Sequence, residues 1–177
     1  MIEPIEIPDA TAEPAKYKQA LLDLIGDKDP LEAISNTAPE ARRLLGELPL
    51  DVVTAAPEPG EWSAAEIIAH IFDVDIVYGF RWRLVLTEEN PVYPGYDEKR
   101  WTPLPRLPFP QLLTAWEGLR ASNVVLISSF PRDQWHRTGV HGEQGPETFD
   151  EMVRKVAAHD IAHLNQIERA VETLTTR

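Results

Sequence analysis

Two stretches constrain this chain more than any other: residues 64–86 and 149–174 carry no proline, although 16 prolines are spread through the 177-residue sequence. Each is introduced by a capping box, Ser63-Ala64-Ala65-Glu66 and Thr148-Phe149-Asp150-Glu151. In such a box the hydroxyl and the carboxylate three residues later satisfy backbone N–H groups that a helix start leaves without partners. Within the first stretch Ile67, Ile71, Val74 and Val77 recur at three- and four-residue spacing, the period of a buried helix face. Helices of this length span a small domain. They bury an apolar face only if the rest of the chain packs beside them.

The remainder supplies partners. A third long helix is expected from Pro110 to about Phe130, carrying Leu112, Leu113, Trp116, Leu119, Val124, Leu126 and Ile127. Thr37-Ala38-Pro39-Glu40 repeats the capping pattern and predicts a helix to about Leu48, after a brief helical turn capped by Asp29-Pro30. Ala15 to Ile25 reads as a short amphipathic helix stopped by Gly26, and residues 1–14 as an extended arm. The connection from Asn90 to Phe109 holds five prolines, Gly95 and the aromatics Tyr93, Tyr96 and Trp101; loops this long are uncommon and often functional. Strand signals are weak at 51–56 and at 134–141, the second being the better place for a small extended piece. The expected fold class is all-α: a four-helix bundle with long connections, formed by one domain over 15–177.

Net charge is −12, which argues against nucleic acid or an anionic membrane as the main partner. No apolar run approaches the ~20 residues that cross a bilayer. The acidic, proline-broken start Met1-Ile2-Glu3-Pro4 is unlike a signal peptide, so a cytoplasmic location is expected. The sequence has no cysteine, which removes disulfides, thiolate metal sites and a cysteine nucleophile.

Histidine carries the chemistry instead. His159 and His163 stand four apart within the last helix, one turn apart on one face. Val156, His159, His163, Ile167 and Ala170 form one stripe, the face a bundle helix turns inward. Two unpaired inward imidazoles are costly; a metal resolves that cost, and the alternative is one histidine satisfied in the core with the other at the surface. His70 sits among Ile67, Ile71 and Val74 and is either a core histidine bonded to a carbonyl or carboxylate, or a third ligand. Three histidines from two helices fit a site that keeps one position open for water or substrate. Imidazole does not choose among zinc, nickel, iron and copper.

Other residues join as candidates. Asp73, one turn beyond His70, is placed to orient a ligand or act as general base, or else is a surface carboxylate. His141 is a candidate proton shuttle or fourth ligand, against a solvent-exposed loop histidine. Gln166 continues the His159–His163 face and is a candidate substrate contact, against an ordinary buried amide. Glu66 is explained by its capping box. Arg81 lies three turns beyond His70 and is expected to pair with a carboxylate. Trp62, Trp101 and Trp135 are expected to be packing anchors.

The order Trp62-Ser63, Glu66, His70, Asp73, Arg81, Tyr96-Asp97-Glu98, Trp101, Arg137-Thr138-Gly139-Val140-His141, Gly145, His159, His163 and Gln166-Ile167 resembles the DinB-like (DinB/YfiT) superfamily of metal-binding four-helix bundles. The resemblance runs from about Tyr17 to Arg169. It implies a divalent metal, zinc or nickel first and iron or manganese next, held by His70, His159 and His163. A branch resembling mycothiol-dependent isomerases has a carboxylate at the position of His159, so the match is to the three-histidine branch. It further implies either transfer of a low-molecular-weight thiol to an electrophile or metal-dependent hydrolysis of a small molecule, and a homodimer paired through helices. The absence of cysteine suits a thiol that arrives as co-substrate. A non-enzymatic metal-binding stress-response protein is the competing reading.

Overall fold

The computed structural model describes residues 2–10 and 12–176; the ends of the expected arm and domain, at residues 1 and 177, and residue 11 of the arm lie outside that set. Both capping boxes form. Ser63 caps α4 (Ala64–Thr87) and Thr148 caps α7 (Phe149–Thr175), in each case with the hydroxyl accepting from the backbone N–H of the glutamate and the glutamate accepting in return. The other elements are α1 (Pro14–Ile25), α2 (Pro30–Leu45), α3 (Leu50–Thr54), α5 (Glu98–Trp101) and α6 (Phe109–Ser128). Three short strands, β1 (Val92–Tyr93), β2 (Thr138–His141) and β3 (Gly145–Thr148), form a small sheet in which β2 pairs parallel to β1 and antiparallel to β3. Among the described residues no helix is long and apolar enough to cross a membrane.

Two expectations are corrected. The Thr37 pattern does not start a helix. The Asp29 carboxylate accepts from Leu31 N at 2.9 Å, and α2 runs from Pro30 through Pro39 without a break. Thr37 instead donates to the Ala33 carbonyl and to Asp160, so its hydroxyl is used inside the bundle. The weak strand signal at 51–56 falls mostly on α3, which spans Leu50–Thr54; within 134–141, residues 138–141 are extended, as expected.

The four long helices α2, α4, α6 and α7 pack together, with α1 along α7. α7 serves two apolar clusters. Phe149, Met152, Val153 and Val156 join Trp82 and Trp135 in one, and Ile167 joins Ile67, Phe109 and Trp116 in the other. Each fully buried aliphatic or aromatic side chain contributes about 1.5–3 kcal/mol to stability. His159, Asp160 and His163 fall between the two apolar stretches of α7.

A buried ionic network joins all four long helices. Arg120 on α6 donates to Asp75 of α4 at 2.8 Å and, through two nitrogens, to Asp160 of α7. Trp116 Nε1 and Asn123 Nδ2 donate to Asp75 at 2.6 and 3.1 Å, and Thr37 of α2 donates to Asp160 at 2.9 Å. Gly79 permits this approach, because a Cβ there would lie 2.8 Å from Asn123 Oδ1.

Candidate metal centre

α4 and α7 bring three imidazoles to one point. His159 Nε2 lies 2.9 Å from His70 Nε2 and 3.1 Å from His163 Nε2, and one ligand atom from each of the three residues falls within 4.8 Å of the others. His70 and His159 are buried and His163 is half-buried. Burial pushes the His70 ring down to about 3, with His163 and Arg106 adding to the effect, and holds His163 at about 4. His159 is driven well below the usual range by burial first and then by the neighbouring histidines. All three rings are therefore neutral near pH 7, the state a metal requires.

The donor set fits a divalent cation. Gln166 Oε1 lies 2.9 Å from His163 Nδ1. An amide oxygen only accepts, so Nδ1 carries the ring proton and the lone pair of His163 Nε2 is left facing the other rings. Neutral imidazoles whose Nε2 atoms converge at about 3 Å have one acceptor lone pair too many for the protons available; a cation at that point uses them all. His159 Nδ1 is buried with no partner among the described residues, so that ring too lacks compensation from its own chain.

The cluster opens on a cleft of about 540 Å³, within the usual range for small-molecule sites. Segment 4–10 forms one wall, tied to α7 by Ile5 N donating to Asn165 Oδ1 and Asn165 Nδ2 donating to Glu3 O. Trp62 forms another: its ring lies 5.1 Å from that of His70 and stacks at 6.4 Å on that of His163. Trp62 is thus part of the site, whereas Trp135 is the buried packing anchor expected. Glu98, at the start of α5, places Oε2 3.9 Å from His70 Nε2. Burial first, and Asp9 next, raise its carboxyl above the usual range.

Of the remaining candidates, Gln166 stands at the site and the others do not. Asp73 is buried, but both its oxygens accept from Arg106, at 2.6 and 2.5 Å, and Arg106 also donates to the Trp101 carbonyl. That fork takes the geometry a ligand-orienting or basic carboxylate needs, so Asp73 instead pins the connection between α4 and α6 to α4. His141 ends β2, is buried, and is outside the ligand cluster; its Nδ1 accepts from Glu143 N and Gln144 N. Gln166 lines the cleft with its oxygen engaged by His163. Arg81 pairs with no carboxylate among the described residues: it donates to the Pro94 carbonyl at 2.6 Å and lies between the Tyr78 and Tyr93 rings. Sequence reasoning gave no role to Glu98, whose place depends on the fold of the 88–108 connection; the only signal was its position in the Tyr96-Asp97-Glu98 run.

Fold and site together define a helical bundle that gathers three histidines able to hold a cation. The chain belongs to the DinB superfamily, whose family profile matches residues 33–167. It is 29% identical over 114 residues, 63% of this chain and 66% of the relative, to a protein of Oceanobacillus iheyensis named "Putative metal-dependent hydrolase". A second protein of that organism with the same kind of name is 32% identical over 110 residues, 61% of this chain and 64% of the relative. The matched stretch therefore spans a little under two thirds of the relatives' length. The fold is that of YfiT from Bacillus subtilis, described as "a probable metal-dependent hydrolase with an unusual four-helix bundle topology", with a TM-score of 0.73, 19% identity, and coverage of 81% of this chain and 84% of that one.

Proposed function

We propose that the protein is a metal-dependent enzyme acting on a small molecule, with His70, His159 and His163 as the metal ligands. The observation that carries this reading is the convergence of three neutral Nε2 atoms, two of them on buried rings and one on a half-buried ring, at the base of a cleft. When bound, a divalent metal supplies the Lewis acidity that turns water or a thiol into a nucleophile near neutral pH. The chain supplies the rest. Gln166 Oε1 fixes the tautomer of His163, Trp62 gives the cleft an apolar wall, and Glu98 Oε2 is placed to take the proton that the nucleophile releases.

Two reactions share these parts. Hydrolysis is supported by the names of the relatives. Transfer of a low-molecular-weight thiol to an electrophile is supported by the absence of cysteine, which leaves the thiol to come from outside. The protein purified without a His-tag is analysed for metal, then incubated with ester and amide substrates and, separately, with small thiols plus an electrophile panel. One divalent ion per chain, with turnover abolished in His163→Ala, is expected; product release without thiol assigns hydrolysis, and metal-dependent thiol consumption assigns transfer. Metal without turnover in either screen would favour a binding protein, and absence of metal would sink the proposal.

A further inference from the structure

Arg81 is 3% exposed and, among the described residues, its guanidinium makes one hydrogen bond, to the Pro94 carbonyl. No ion pair among the described residues includes it. Its side chain lines a chamber of about 80 Å³ that shares Tyr17, Glu98 and His159 with the cleft over the histidines. That volume admits a few non-hydrogen atoms. Several hydrogen-bond donors line the chamber. His141, also buried, accepts at Nδ1 and so carries its proton on Nε2, which makes no hydrogen bond among the described residues. Tyr17 and Tyr96 add hydroxyls to the lining. Lys155 lines it too, and its charge is taken up by Glu147 in a buried ion pair. The floor is left with the one positive charge of Arg81. Asp97 and Glu143 line the exposed part of the chamber, where water screens them, and half-buried Glu98, its carboxyl raised by burial, stands in the wall shared with the cleft.

From this juxtaposition we infer that the chamber is a subsite for a carboxylate group of the substrate, held by the Arg81 guanidinium with help from His141 Nε2–H. A guanidinium offers two parallel N–H groups that match a carboxylate edge. A single uncompensated charge suits a monoanion, and the acidic rim disfavours a phosphate. The substrate class is then a small carboxylic acid whose reactive group reaches the histidine cluster through the shared wall at His159. Only the placement of the reactive group rests on the proposed metal chemistry; binding of the carboxylate does not.

The test titrates butyrate and butyramide into the full chain by NMR, following the side-chain signals of Arg81 and His141. Wild type is expected to bind butyrate saturably and at least tenfold more tightly than butyramide. Arg81→Gln is expected to weaken butyrate at least tenfold, Arg81→Lys less, and His163→Ala to leave it unchanged. The inference is overturned by no saturable binding, by equal affinity for acid and amide, by an Arg81→Gln variant that binds as wild type, or by loss of binding in His163→Ala, which would place the carboxylate on the metal. If Arg81→Gln does not fold, the acid–amide comparison in wild type and the Arg81→Lys titration decide. Butyrate binding in a protein that takes up no metal would defeat the proposed function and still support the subsite.

Discussion

His159 and Asp160 are neighbours on α7 that face different partners: His159 turns to the imidazole cluster, while Asp160 accepts from Arg120 and Thr37 in the ionic network. Successive residues of a helix point about 100° apart, so one short piece of α7 serves both the metal centre and the four-helix junction. The ring that would hold a metal is thereby next in sequence to the group that ties the helices together.

Arg120→Met should be severely destabilising. It leaves Asp75 and Asp160 buried without their shared cation, a change that typically costs about 3–5 kcal/mol. Urea unfolding at pH 7 measures the loss; a shift under 1 kcal/mol would mean that the two carboxylates find other partners or protons.

Gln166→Leu should leave the fold intact and lower metal affinity by about 10–100-fold, because His163 loses the acceptor that fixes its tautomer. Gln166→Glu, which still accepts, should recover most of the affinity. Chelator competition reads both, and equal affinities for Leu and wild type would remove Gln166 from the site.

Glu98→Gln should keep metal content and lower kcat by about 10²–10⁴-fold, the usual contribution of a positioned proton acceptor. A parallel loss of metal would instead assign Glu98 to ligation.

His141 gives a pH dependence with a definite sign. Burial, with Arg81 and Lys155, lowers its folded pKa to about 4, while the unfolded chain has the ordinary value near 6.5. The unfolded state therefore binds the proton first as pH falls. The stability tied to neutral His141 is complete above about 6.5 and is lost progressively towards pH 4, amounting to at most ~3 kcal/mol. In chelator-treated protein, urea midpoints from pH 7 to 4.5 should fall less steeply for His141→Gln than for wild type; identical slopes would contradict the assignment.

The parts of this molecule that were legible in the sequence are those governed by short-range rules. Ser63 and Thr148 cap helices because the partner lies three residues away, and the His159–His163 pair faces one way because the helical period says so. Thr37 satisfied the same local pattern and was misread, since the stronger Asp29-Pro30 start had already set the helix and a distant Asp160 claimed the hydroxyl. The spacing of Asp73 allows a ligand-orienting group, a general base or a surface carboxylate, and does not reveal that Arg106, 33 positions away, engages both its oxygens. Glu98 and the pairing of β1 with β2 depend on how the 88–108 connection folds back, which no local pattern encodes.

The wall formed by segment 4–10 has a consequence of its own. The three histidines belong to two long helices of the bundle, while one side of the cleft belongs to a stretch of chain that contributes no helix. Chemistry and selectivity are thus written in separate regions. Substitutions at the cleft-lining positions of segment 4–10 can reshape what enters the cleft while the three histidines stay as they are.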